Sequence, residues 1–340
     1  MRRLIINRDR ERLLVMAAFC AALAPGTGFA QAPPPVILQV DIENMVQYWG
    51  DVSDPSKLAT VLTPTTPIIS NFEPFLLIAD IVAVNGAPAK GTWVARAQRL
   101  TLRPTASSGV SIADVTRTGP GDETYEILRP DGTPVGTIVS LGFFSGPPPP
   151  GAPSALTTGN HAVVGGTGAF VGVRGEDGGG VALAAARNAS YSEDPASRRV
   201  NGGGKMRFTL HLIPQARPEI SAVSGAPAIF HSSDFTLVSS TNPAKAGEIL
   251  SLLCRGLGPT TPGVDPEVTF PQSPLAIVNA PVDVLVNSKS VEVLEAVGYP
   301  GSTDGYQVNF RIPADATSGL TSLRVSAAWI AGDAVSIAIR

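Results

Sequence analysis

The residues best suited to chemistry are few in this chain and widely spaced. Three histidines, His161, His211 and His231, stand far apart, with no His-x-His or His-Glu-x-x-His spacing. A zinc centre needs converging ligands, usually with two of them close in sequence. The three therefore read as isolated loop or surface histidines, and no metal site is expected. No Gly-x-Ser-x-Gly elbow occurs, which removes the commonest serine-nucleophile arrangement. Glu123, Glu126 and Asp131 could each supply a carboxylate for acid or base work. Carboxylates at strand ends and turns are ordinary, however, and Asp131 in Pro130-Asp131-Gly132 is better explained as a turn former. Glu176-Asp177, ahead of Gly178-Gly179-Gly180, lacks the alternating oxygen ligands of a calcium loop. The residues thus point to no catalytic centre and no cofactor.

Cysteine adds little. Cys20 falls in the opening segment, so one thiol, Cys254, would remain after its removal. Cys254 lies in the apolar run Ile249 to Cys254, where a buried core residue is expected.

The glycine-rich stretch Val163-Val164-Gly165-Gly166-Thr167-Gly168-Ala169-Phe170 resembles a dinucleotide-binding turn only superficially. That turn needs a helix directly after it, to hold a pyrophosphate on its amides. Here Gly178-Gly179-Gly180 follows closely, and each glycine weakens a helix by about 1 kcal/mol. A tight structural turn built from Gly165, Gly166, Thr167, Gly168 and Phe170 is expected instead.

The elements that would position these residues read as strands. The 340 residues include 35 Gly and 31 Pro, with 44% hydrophobic residues, a composition for short strands and tight turns. Trp93 to Leu102 reads as one strand, introduced by Asn85-Gly86 and Gly91. Glu123 to Leu128 and Val135 to Phe144 form a hairpin around Pro130-Asp131-Gly132. In Lys205 to Ile213, Met206, Phe208, Leu210 and Leu212 share one face. Gly146 to Pro153 is an extended proline-rich loop. Trp93, Tyr125 and Phe143 are the candidates to line a cavity, with core filling as the plainer alternative. Tyr306 to Phe310 alternates, with Gln307 and Asn309 on one face fixing neighbouring loops.

The chain opens with Arg2, Arg3, Arg8, Arg10 and Arg12, then the apolar run Leu13 to Leu23, then Gly28-Phe29-Ala30. These are the three parts of a secretory signal, residues 1–30, cleaved after Ala30. Its apolar run is too short to span a bilayer, and no membrane span is expected after its removal. Removal lowers 25 basic and 28 acidic residues to 20 and 26, leaving a net charge near −6. Nucleic acid is a poor partner for such a chain.

Gly165-Gly166-Thr167-Gly168-x-Phe170 followed by Arg174-Gly175 resembles the allene oxide cyclase and dirigent barrel superfamily. The resemblance covers roughly Gly91 to Pro214. It implies an antiparallel eight-stranded barrel with an apolar interior, used for binding or steering hydrophobic small molecules. Ala244 to Leu250, Gly256-Leu257-Gly258-Pro259 and Gly305 to Pro313 resemble the uncharacterised Ig-like carboxy-terminal domain of exported acidobacterial, Solibacter-type proteins. The expected architecture is all-β, a barrel over 36–214 and an Ig-like β-sandwich over 218–340. The leading expectation is an exported protein without catalysis, periplasmic, on the cell surface or extracellular, whose barrel binds an apolar small molecule and whose sandwich is an interaction or attachment module, with a cell-surface component as its partner. An isomerase or cyclase working in the barrel, and a purely structural surface protein, are the alternatives. A cavity holding an acidic or basic side chain among apolar walls would favour the enzyme, and a barrel packed shut the structural role.

Overall fold

The computed structural model describes residues 35–49, 74–98, 100–101, 117–118, 120–144 and 160–340. The expected signal with its cleavage point, Cys20 and the Gly146 to Pro153 loop lie outside the described residues. Residues Pro35–Arg340 form one compact unit.

Eight strands carry the first part: β1 (Val36–Trp49), β2 (Pro74–Val84), β3 (Lys90–Gln98), β4 (Pro120–Leu128), β5 (Pro134–Phe143), β6 (Asn160–Gly166), β7 (Arg174–Ala184) and β8 (Gly204–Ile213). Each pairs antiparallel with its neighbours in sequence, and β1 pairs with both β2 and β8. The sheet is thus a closed up-and-down barrel, and closure leaves these eight strands no free edge.

Period-two alternation fills the inside. Leu38, Val40 and Ile42 of β1, Trp93 and Ala95 of β3, Tyr125 and Ile127 of β4, and Phe208, Leu210 and Leu212 of β8 are all buried. Asn85 (φ 49°) and Gly86 (φ 77°) turn the chain out of β2, both in the left-handed region, as an Asn-Gly hairpin requires. Asp131 accepts the Thr133 N–H at 2.9 Å in the β4–β5 turn. Between β6 and β7 the chain makes a single short 3₁₀ turn, Gly168–Phe170. No helix follows the glycines, and Phe170 is buried under the turn.

From Glu219 onward come a two-stranded antiparallel ribbon, Ala222–Val223 with Ala226–Pro227, and two larger antiparallel sheets. One contains β9 (Ile249–Arg255), β11 (Val293–Gly298) and β12 (Gly305–Arg311); the other contains β10 (Val282–Val286), β13 (Gly319–Ala327) and β14 (Val335–Ile339). Among the described residues no strand pair joins them to the barrel. Leu250, Leu252, Cys254, Val308 and Phe310 from the first sheet, and Val284, Leu323, Val325 and Ile337 from the second, are buried. On the opposite face of β12, Asn309 accepts from Ser251 Oγ at 2.8 Å and Gln307 Nε2 at 2.9 Å, and donates to Glu295 at 3.1 Å. These polar side chains tie neighbouring strands to each other.

Candidate functional site

The barrel interior is apolar at one end and polar in its middle. On β4 the alternation that buries Tyr125 and Ile127 also turns Glu123 inward, while Glu126 faces out. Ser140 of β5 sits opposite Glu123 in register and is buried. His161 of β6 points in beside them. Asp177 of β7 is turned inward where the strand bulges between Asp177 and Gly180. Gly179 takes φ +66° there, a conformation glycine reaches without the strain a side chain would bring. Its N–H then donates to Asp177 Oδ1 at 3.1 Å.

Three titratable groups from three strands therefore meet out of solvent: Glu123, His161 and Asp177 are 1%, 4% and 2% exposed. Tyr125 OH lies 2.6 Å from both Glu123 Oε2 and Asp177 Oδ2. Trp93 Nε1 donates to Glu123 Oε2 at 3.3 Å, and Ser140 Oγ to Asp177 Oδ2 at 3.2 Å. A phenol has one proton to give. It donates to one carboxylate, and the second contact is a hydrogen bond only when that carboxyl donates its own proton to the phenol oxygen. Burial first, then the charge of Glu123, pushes the Asp177 carboxyl up to about 8, so Asp177 is the proton carrier near neutrality. Burial and the same two carboxylates hold Tyr125 well above the usual phenol range. Burial alone would lower the His161 imidazole, but its contact with Glu123 and the charge of Asp177 outweigh that and raise it.

His161 Nδ1 lies 3.1 Å from Glu123 Oε1. The contact is an ion pair by distance, but it misses the direction a hydrogen bond needs. Neither ring nitrogen has a hydrogen-bond partner among the described residues. The ring is held edge-on against Phe144, centroids 4.6 Å apart.

Beside this cluster is a cavity of about 170 Å³, lined on its apolar side by Met45, Leu77, Trp93, Phe144, Met206 and Phe208 and on its polar side by Glu123 and His161. Of the residues expected to line a cavity, Trp93 does so. Tyr125 is buried behind it, hydrogen-bonded to the two carboxylates. Phe143 does not line it. That side chain is 43% exposed, and its neighbour Phe144 faces the cavity instead, because consecutive side chains point to opposite faces. The expectation that His161 is a solitary loop or surface residue is also corrected. It sits on a strand, buried against two carboxylates, while His231 is buried with Nδ1 2.6 Å from Glu248 Oε1 in the later sheets. The sequence carried no spacing signal for the cluster because its members come from different strands. The one available cue was a histidine and two acids falling on inward positions of alternating strands.

No family model matches this chain, and no curated protein does. Among solved structures, the N-terminal domain of the Streptococcus gordonii adhesin Sgo0707 aligns over 90% of this chain and 92% of that one, at 11% identity and a TM-score of 0.18. A score that low carries no argument about fold or role. Among the described residues no helix is long and apolar enough to cross a membrane.

Proposed function

We propose that the barrel is a small-molecule site, taking a mostly apolar ligand whose polar end meets Glu123 and His161. The observation that carries this reading is the interior cavity, apolar on one side and charged on the other. Its volume, about 170 Å³, is close to that of a 150 Å³ apolar cavity able to take up benzene. It falls below the range that buries drug-sized ligands. The ligand class is therefore a single-ring or short-chain molecule with one oxygen function.

One further observation favours chemistry over storage. A barrel that only held an apolar guest would gain nothing from two carboxylates and an imidazole in its wall, which are costly to bury. Charged groups fixed in a buried protein wall polarise a bound carbonyl or alkene far more than they would in water. An isomerase or cyclase that holds a reactive substrate in shape is the second reading. Export under the amino-terminal signal, and an Ig-like attachment role for the carboxy-terminal sheets, complete the proposal. They are supported by the signal pattern and by the motif resemblance, and fractionation of the producing cell tests the first.

The direct test is native mass spectrometry of the purified protein, alone and with a panel of small cyclic ketones, phenols and monoterpenoids. Trp93 fluorescence serves as a second readout. A retained or added small molecule is expected, and Ala186→Leu, which pushes extra carbons into the cavity, should weaken its binding at least tenfold. A clean unliganded mass and unchanged fluorescence across the panel would overturn the reading in favour of a structural barrel.

A further inference from the structure

Two carboxyl groups and an imidazole converge here from three strands, all buried, and such a donor set can hold a metal cation in place of the protons it carries. The arrangement of their donor atoms says where it would sit. One ligand atom from each of Glu123, His161 and Asp177 lies within 4.8 Å of the other two, and the closest pair, His161 Nδ1 and Glu123 Oε1, is 3.1 Å apart. Four ligands around a zinc-sized ion, bonded at about 2.0–2.2 Å, stand roughly 3.4 Å from one another. The three atoms thus need to close by at most about 1.4 Å at the widest pair to coordinate a single ion.

His161 supplies an independent observation. Its side chain is 1% exposed and neither nitrogen has a hydrogen-bond partner among the described residues, although buried polar atoms are almost always satisfied. An imidazole held edge-on by Phe144, with no hydrogen bond at either nitrogen and one of them 3.1 Å from a carboxylate oxygen, is placed as a ligand is placed.

The surroundings also match. Ligating carboxylates are themselves hydrogen-bonded in working metal sites. Here Glu123 Oε2 receives Trp93 and Tyr125, and Asp177 receives Ser140 and the Gly179 N–H. Glu123 Oε1, by contrast, faces only His161. Glu123 and His161 also border the cavity, so the ion would have room for a further ligand on that side.

We propose that Glu123, His161 and Asp177 form a binding site for one divalent first-row metal ion, with its remaining coordination position open to the barrel cavity. Two carboxylate oxygens and one imidazole nitrogen, without thiolate, suit Zn²⁺, Mn²⁺ or Fe²⁺ and not Cu⁺. Three protein ligands and an open position make it the kind of site that binds a small oxygen ligand, rather than a closed structural one. The proposal goes beyond the cavity-ligand reading and stands or falls without it.

The test uses the whole purified protein, stripped with a chelator and titrated with ZnCl₂, MnCl₂ and CoCl₂ by calorimetry. Uptake of one equivalent of at least one ion is expected, with visible Co²⁺ absorption and partial quenching of tryptophan fluorescence by the paramagnetic ions. Trp93→Phe should remove that quenching, because Trp93 is hydrogen-bonded to the ligand Glu123. His161→Gln and Glu123→Gln should each weaken binding at least tenfold. Glu176→Gln, on the exposed side of the same strand as Asp177, should leave it unchanged. Where a ligand variant fails to fold, the metal-dependent rise in the thermal midpoint of the wild type and the Trp93 quenching decide. No stoichiometric uptake of any of the three ions overturns the proposal. So does uptake that folded His161→Gln and Glu123→Gln proteins retain in full, and so does uptake by the wild type with neither a midpoint shift nor Trp93-dependent quenching.

Discussion

Cys254 lies fully buried in β9 among Leu250, Leu252 and Phe310, and burial pushes its thiol up to about 12. The thiolate is the reactive form, so the folded protein should be inert to thiol reagents at pH 8, with labelling appearing only as denaturant unfolds it. Rapid stoichiometric labelling of the native protein would contradict that placement. Single residues differ in how well the chain announces them. Cys254 is legible because an unbroken apolar run has no polar alternative, and Asp131 because Pro-Asp-Gly has one backbone solution. Glu123 is visible only as one of several acids, since deciding that it faces inward and Glu126 outward depends on the register of β4. Phe143 and Phe144 show the same limit: a one-residue shift at a strand end exchanges inside for outside. His161 and Asp177 are the extreme case, because their meaning arises only when three strands have been laid side by side.

The β6–β7 connection is the element most plainly written in the sequence. Gly168 takes φ +61°, and a Cβ there would stand 2.5 Å from the Val135 carbonyl oxygen and 2.9 Å from Gly136 Cα. Gly168→Val should therefore cost roughly 2–4 kcal/mol through combined strain and overlap, seen as a fall of several degrees in the thermal midpoint. An unchanged midpoint would show that the turn is not tight. The glycine run in β7 was legible only as a helix breaker. Its use, a bulge that turns Asp177 inward, depends on pairing with β8 and could not be read from composition.

At the scale of the whole molecule, an ion-pair cluster, buried at Asp80 and Arg198 and exposed at Arg199, pins the excursion between β7 and β8 to the barrel wall. Asp80 of β2 accepts from Asn44 Nδ2 at 3.0 Å and from Arg199 Nη2 at 2.8 Å, and pairs with the buried Arg198. Burial alone would raise the Asp80 carboxyl, but the hydrogen bonds from Arg199, Asn44 and Arg198 outweigh it and hold it below the usual value. A carboxyl depressed on folding stabilises the protein above its unfolded pKa, and that contribution is lost as pH falls through the folded value. Asp80→Asn should cost about 3 kcal/mol near pH 7, since it leaves the buried Arg198 without a counter-charge. It should also lose less stability than the wild type between pH 5 and 2. Parallel stability curves for the two proteins over that interval would remove Asp80 from the acid response.

The barrel's connectivity has a consequence in time. Seven of its eight seams join strands that follow one another along the chain; the eighth joins β1 to β8, with Val36 opposite Leu212. A ribosome adding roughly 5–20 residues per second delivers β8 on the order of ten seconds after β1. Until then one edge of β1 has no partner from this barrel, and the interior stays open to water. The ion pairs across that last seam, Arg207 with Asp41 and Lys205 with Glu43, put charge on the outer face of the waiting edge. The waiting strand thus carries Asp41 and Glu43 on its outer face, opposite the apolar Leu38, Val40 and Ile42, and those charges disfavour pairing with any other chain that meets the edge first.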